Sequence, residues 1–377
     1  MLLSADKVFN GQTFLTNATV EVVDGKIQQI HDSILPGAER LKGTLSAGFI
    51  DYHVNGGGGK LFNFDPERST LTSMVKAHSA FGTTALVPTL ITDTSEIMCA
   101  SADAVAEAIS SNEPGILGIH FEGPHLSVPK KGVHEGTLVR PIGDKERAIF
   151  ERDDLGIKII TLAPENVSDA DITHLLKNNV KVSIGHSNAS FERAKEVVEL
   201  GADGFTHLFN AMSPFTSREP GVLGAALESD SAWCGIILDG HHMHYGSAKI
   251  AHSIKPEGKL LLITDAMSTI GSDQEGFEFF GVEVIRDGDK LATPEGTLAG
   301  SALDMITAVK NAVNNLGLDL VEALNMASLY PAEYLGIADE MGSIKVGNNA
   351  DLILIQDDFI ISKTWIQGQL VHDNSVT

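Results

Sequence analysis

The sequence predicts an α/β protein: a (β/α)8 TIM barrel over residues 48–336, carrying a small β-sandwich domain built from both chain ends, residues 1–47 and 337–377. Three observations predict it. Eight short apolar runs alternate with helical stretches through the middle of the chain, the pattern of βα units around a parallel sheet. Both ends read instead as brief β runs broken by Gly and Asn. Nearly every middle run ends in His, Glu, Asp or Asn, as expected where strand ends form one active face.

At the N-terminal end, LLSADKVFNG and NATVEVVDGKIQQI read as strands, with Asp24-Gly25 at a hairpin turn. GSIKVGNNADLILIQ and KTWIQGQLVHD have the same character near the C-terminus, so the two ends are expected to fold together. Between them the strand candidates are GFIDYHVN, TALVPTL, ILGIHFEGP, IKIITLAPE, VKVSIGHS, GFTHLFNA, CGIILDGHH and LLLITDAM. Helical patterns such as SEIMCASADAVAEAIS and SFERAKEVVELG follow them. Residues 276–298 read as a β-hairpin insertion after the eighth strand, and SALDMITAVKNAVNNLG completes the last unit.

Composition narrows the function. The chain has 377 residues, of which 43% are hydrophobic and 20% charged, proportions of an ordinary globular protein. A formal net charge of −23 argues against nucleic acid, whose phosphates need clustered Lys and Arg. Any small anionic substrate must then be met by a local cation or a helix N-terminus. Cys99 and Cys234 are too few for a disulfide framework. No basic segment leads into an apolar run, and no stretch of 18 apolar residues occurs. A cytoplasmic protein without a membrane partner is expected.

His186 and His207 stand one βα unit apart, at the ends of the fifth and sixth strands, and so both project over the barrel mouth. With Glu122 at the end of the third strand they make a Glu/His/His set, three protein ligands with room for a water. Asp265 ends the eighth strand, where a carboxylate can serve as general acid and base. His134, in the loop after the third strand, is placed to polarise an amide oxygen. Arg218 and His242 follow the sixth and seventh strands, and in so acidic a chain they read as anion clamps. One divalent metal per chain is expected, zinc first, with iron, cobalt and manganese compatible with the same ligands.

HFEGPHLS, KKGVHEG, IGHSNAS, THLFNAMSPFTSREPG, LDGHHMH, ITDAM and TLAGSALDM follow one another in the order of the signature segments of the N-acetylglucosamine-6-phosphate deacetylase family. The chain resembles that family, part of the amidohydrolase superfamily, over nearly its whole length. The resemblance implies an enzyme that releases acetate from N-acetyl-D-glucosamine 6-phosphate in amino-sugar catabolism, commonly as a homodimer. It assigns the metal to Glu122, His186 and His207, and the acid/base role to Asp265. It also implies substrate contacts at Val133, Asn210, Ala211, Arg218, Asp239, Gly240, His241, His242, Leu298, Ala299 and Gly300.

One departure stands out. Many amidohydrolases carry His-x-His after the first strand and bind two metals, whereas this chain reads His53-Val54-Asn55. His53 alone leaves a second metal site open. The fourth-strand segment TLAPE also lacks the lysine that bridges two metals in other branches. Rival readings are the same chemistry on the C4 epimer, N-acetylgalactosamine 6-phosphate, another amide hydrolase, and a sugar-phosphate binding protein.

Overall fold

A computed structural model describes residues 1–374. The alternating middle of the chain forms eight parallel strands in sequence order: Phe49–Val54, Thr83–Ile91, Gly118–Glu122, Ile157–Leu162, Val180–Ile184, Gly204–Phe205, Trp233–Ile236 and Leu260–Leu262. The first and eighth meet just beyond the eighth strand's end. There Val54 bridges Ala266, and the Asp265 N–H donates to His53 O at 2.9 Å. The (β/α)8 barrel thus closes at the end that carries the polar residues.

Several barrel helices start where the sequence supplies a cap. Thr94, Ser168, Ser190 and Asp304 accept from backbone amides at the starts of Ser95–Ser110, Asp169–Lys177, Phe191–Leu200 and Met305–Asn311. The helices bury their apolar faces on the outside of the sheet, in one core that runs from Phe9 to Ile361.

Inside the barrel the strand period of two puts His120 and Glu122 on one face, His120 a layer lower. His120 Nε2 lies 2.8 Å from Thr161 Oγ1, which reaches Thr206 Oγ1 at 2.7 Å, which in turn reaches Ser183 Oγ at 2.7 Å. This polar layer floors the mouth. Burial brings the His120 pKa down to about 3, so its imidazole stays neutral.

The terminal strands join in a seven-stranded sheet. Its order is Gln369–Asp373, Ile361–Ile366, Leu352–Ile355, Glu39–Ala47, Leu2–Phe9, Phe14–Val23, Lys26–His31. The last of these is tied back to the segment leading into Leu352–Ile355, with the Ile27 N–H on Asn348 O at 2.9 Å and the Gly347 N–H on Ile27 O at 2.9 Å. The sheet therefore curls over its own core, which includes Leu3, Val20, Leu45, Leu352 and Trp365. Gly48 is the crossing point into the barrel, where any side chain would run into Thr84.

The insertion after the eighth strand differs from the expected hairpin. It is a three-stranded antiparallel sheet, Gly276–Phe279, Val282–Asp287 and Lys290–Ala292. The third strand forms because residues 288–289 make a second tight turn. Phe279, Val284 and Leu291 then pack with Leu61, Ile91, Met267 and Ala299 as a satellite core beside the barrel mouth.

Candidate metal centre and substrate cavity

The strand ends converge. Glu122 Oε1 lies 3.1 Å from His186 Nε2 and 3.0 Å from His207 Nε2, and the two Nε2 atoms are 3.0 Å apart. His186 Nδ1 donates to Lys130 O at 2.8 Å, which leaves Nε2 as a bare lone pair facing the other donors. His207 Nδ1 is buried without a hydrogen-bond partner. Burial and neighbouring positive groups lower the His207 pKa, which keeps it in the neutral form that ligates metals.

A second set shares the same carboxylate. His53 Nε2 lies 3.3 Å from Glu122 Oε2 and 3.3 Å from Asp265 Oδ1. Neither contact is aligned as a hydrogen bond, so the attraction is coulombic. Burial pulls the His53 pKa down, but the two carboxylates more than reverse this and hold it well above the usual histidine range. Burial alone would also raise the carboxyl pKa values. The positive His53 instead holds Glu122 well below its ordinary range and lowers Asp265.

Asn55, where a second histidine would stand, donates from Nδ2 to Asp265 Oδ1 at 2.6 Å. On the other side of Glu122, His134 Nε2 lies 3.6 Å from Oε2. His134 Nδ1 accepts the Thr92 backbone N–H at 3.3 Å, so Nε2 carries the ring hydrogen and points it at the centre. Burial brings the His134 pKa down to about 4, so it is a neutral donor.

The backbone is strained where these side chains leave it. His186, His207 and Asp265 have φ of 46°, 33° and 52°, and Ala211 has 50°. Such left-handed conformations cost roughly 1–3 kcal/mol each outside glycine and persist where the surroundings over-determine them. All four residues line the cavity at the barrel mouth.

A cavity of about 250 Å³ opens above the centre. Of the substrate residues expected from the sequence, Val133, Asn210, Ala211, His242, Leu298 and Gly300 line it. Asp239 lies behind the wall, where Oδ2 accepts His242 Nδ1 at 2.6 Å and Oδ1 accepts the backbone N–H groups of His241 and His242. Gly240 forms the turn between them at φ 80°. The His241 ring instead pairs with Asp289 of the inserted sheet at 2.7 Å, and Ala299 is fully buried. Arg218 is exposed on the loop after Ala211 and does not line the cavity. Two other strand-end residues turn away: Glu165 braces Ser187 and Asn188, and His125 bonds Arg140 O. Sequence reasoning missed Ile91, Met267 and Phe279, which form the cavity's apolar wall. Their shared signal is long-range packing, not a local motif.

A (β/α)8 barrel with converging histidine and carboxylate donors at its mouth is the architecture of metal-assisted hydrolases. The chain belongs to the Amidohydrolase family, whose profile matches residues 44–371. It is 47% identical to an N-acetylgalactosamine-6-phosphate deacetylase of Shewanella sp. (strain ANA-3), over 98% of this chain and 96% of that protein. It superposes on the crystal structure of N-acetylglucosamine-6-phosphate deacetylase from Pasteurella multocida with TM-score 0.94 and 36% identity, covering 98% of this chain and 99% of that one. A mutant form of the Mycobacterium smegmatis enzyme, in complex with N-acetyl-D-glucosamine-6-phosphate, superposes with TM-score 0.91 and 28% identity, covering 98% and 99%. Among the described residues no helix is long and apolar enough to cross a membrane.

Proposed function

We propose that this chain hydrolyses the acetamide of an N-acetylhexosamine 6-phosphate, releasing acetate and the free amino sugar phosphate. The observation that carries the proposal is the convergence of Glu122, His186 and His207 beside Asp265 at the floor of one cavity. In this reading Glu122, His186 and His207 hold one divalent metal, zinc first. The donor set fits: a lone pair fixed on His186 Nε2, a neutral His207 and an ionised Glu122 meet within hydrogen-bonding distance of one another. A metal held there supplies a Lewis acid and an activated water.

The chain's own groups move the protons. Asp265 Oδ1 is occupied by the Asn55 N–H, which leaves Oδ2 to take a proton from the attacking water. As the C–N bond breaks, the same carboxyl returns that proton to the departing sugar nitrogen. His134 Nε2–H donates to the amide oxygen as charge builds on it, and Thr92 fixes the tautomer that makes this donation available. Asn210, Ala211, His242, Leu298 and Gly300 face the sugar phosphate, with Arg218 meeting its phosphate from the exposed loop. His53, with Glu122 and Asp265, is the candidate for a second metal. A homodimer in the cytoplasm completes the proposal, supported by the family resemblance and by two free cysteines.

The family resemblance implies the gluco epimer. The 47% identity to a relative named for the galacto epimer, against 36% to the Pasteurella enzyme, favours the C4 epimer as a second reading. Acetate release from N-acetylglucosamine and N-acetylgalactosamine, each with and without the 6-phosphate, tests both. Release from a phosphorylated sugar and not from its unphosphorylated form is expected. Equal rates with and without phosphate, or no release from any of the four, refute the proposal.

A further inference from the structure

Glu122, Asp265 and His134 at the floor of the cavity each have an apolar neighbour, on the same segment or on the strand beside it. Ile91 is paired in register with Glu122 on the adjacent parallel strand, so their side chains leave the sheet on the same side. Met267 follows Asp265 by two residues, and Val133 precedes His134. Phe279 reaches in from the inserted sheet to join them. In the deacetylase reading the amide carbonyl sits between Asp265 and His134, and this wall is the apolar surface beside it that suits an acyl methyl, with the polar Asn210 and His242 left for the sugar.

The wall is braced from behind. Asn63 brackets Ile91, donating from Nδ2 to its carbonyl at 3.1 Å and accepting its N–H at 3.1 Å. Phe279 packs on Phe280 and Phe64, with ring centroids 4.9 and 5.6 Å away. Met267 presses so closely on Gly300 that a Cβ there would come within 2.5 Å of its Cγ. All three wall residues are at most 5% exposed. A side chain supported on its far side cannot withdraw to admit extra atoms.

We propose that Ile91, Met267 and Phe279 form the acyl seat of this enzyme and restrict the group removed to acetyl. The inference rests on the deacetylase reading above and adds to it the residues that set acyl length. An extra methylene against a packed apolar wall is worth about 10–200-fold in specificity.

The test is kcat/KM for the N-acetyl and N-propionyl forms of the same hexosamine 6-phosphate, in wild type and in Ile91→Ala, Met267→Ala and Phe279→Ala. Ile91→Val and Phe279→Leu serve where an alanine variant does not fold. Wild type is expected to favour acetyl by at least about tenfold, and truncation to cut that preference by about tenfold. Wild type that handles both acyl groups equally, or folded variants that keep the wild-type ratio, overturn the acyl seat while leaving the deacetylase reading intact. Failure of wild type to release acetate from either epimer refutes the deacetylase reading itself.

Discussion

Replacing Asp265 by Asn removes the proposed proton carrier while changing almost nothing else. The amide matches the carboxylate in size, and its oxygen can still accept the Asn55 N–H that now bonds Oδ1 at 2.6 Å. The metal set of Glu122, His186 and His207 does not include position 265, so metal and fold are expected to stay. What is lost is the base. In the wild-type chain the positive His53, 3.3 Å away, holds the Asp265 pKa below its ordinary value, so the carboxylate is ionised at neutral pH. Asparagine can neither accept the water's proton nor return one to the leaving nitrogen. A positioned acid/base is worth about 10²–10⁴ in rate, and kcat is expected to fall by that factor. The assay combines acetate release, elemental analysis and affinity for the amino sugar phosphate product on one preparation. A kcat within a few-fold of wild type would reduce Asp265 to a cap on the eighth strand. Loss of metal together with activity would make it a ligand, as the His53–Glu122–Asp265 set allows, and would transfer the proton role elsewhere.

Two further outcomes are expected, one from the sequence motif around Arg218 and one from the structure. Arg218→Ala should raise KM for the phosphorylated sugar by roughly ten- to more than hundredfold, the worth of a charge-assisted contact, and should leave the unphosphorylated sugar nearly unaffected; equal losses would take Arg218 off the phosphate. Glu146, whose carboxylate accepts Arg140 Nε at 2.9 Å, Ser95 Oγ at 2.7 Å and the Gly143 N–H at 3.1 Å, should cost about 1.5–3 kcal/mol of stability when changed to Gln. Burial alone would raise the Glu146 pKa, but these partners bring it down from 4.5 to about 2. Its contribution is therefore complete above pH 4.5 and fades as pH falls towards 2, so the gap in denaturation midpoint between wild type and Glu146→Gln should close over that window.

Much of the barrel was legible because strand ends and helix caps are local signals. An apolar run closing on His or Glu needs only a few residues to declare itself, and the 21-residue step from His186 to His207 already put two imidazoles side by side. The groups that tune those side chains were not legible. The Lys130 carbonyl and the Thr92 amide act through contacts 56 and 42 residues away in sequence, and they fix the two ring tautomers. The insertion read as a hairpin because its second turn, at 288–289, lies inside a polar stretch that also suits a loop. Its third strand and its delivery of Phe279 to the cavity depend on packing against Leu61 and Met267, which no local pattern records. Arg218 carries a specific motif, yet its exposed position shows that a motif names a residue without placing it.

Elemental analysis reads the proposed metal centre itself, independently of any substrate. Wild type, His186→Asn and His207→Asn, each shown to be folded, are analysed for divalent metal per chain while acetate release is followed. Removing one of three protein ligands should leave a site too weak to keep a labile ion. Wild type is expected to hold one tightly bound metal, and either variant to lose most of it together with nearly all activity. Stoichiometric metal in His186→Asn or His207→Asn, or full acetate release from a metal-free chain, would contradict the assignment of Glu122, His186 and His207.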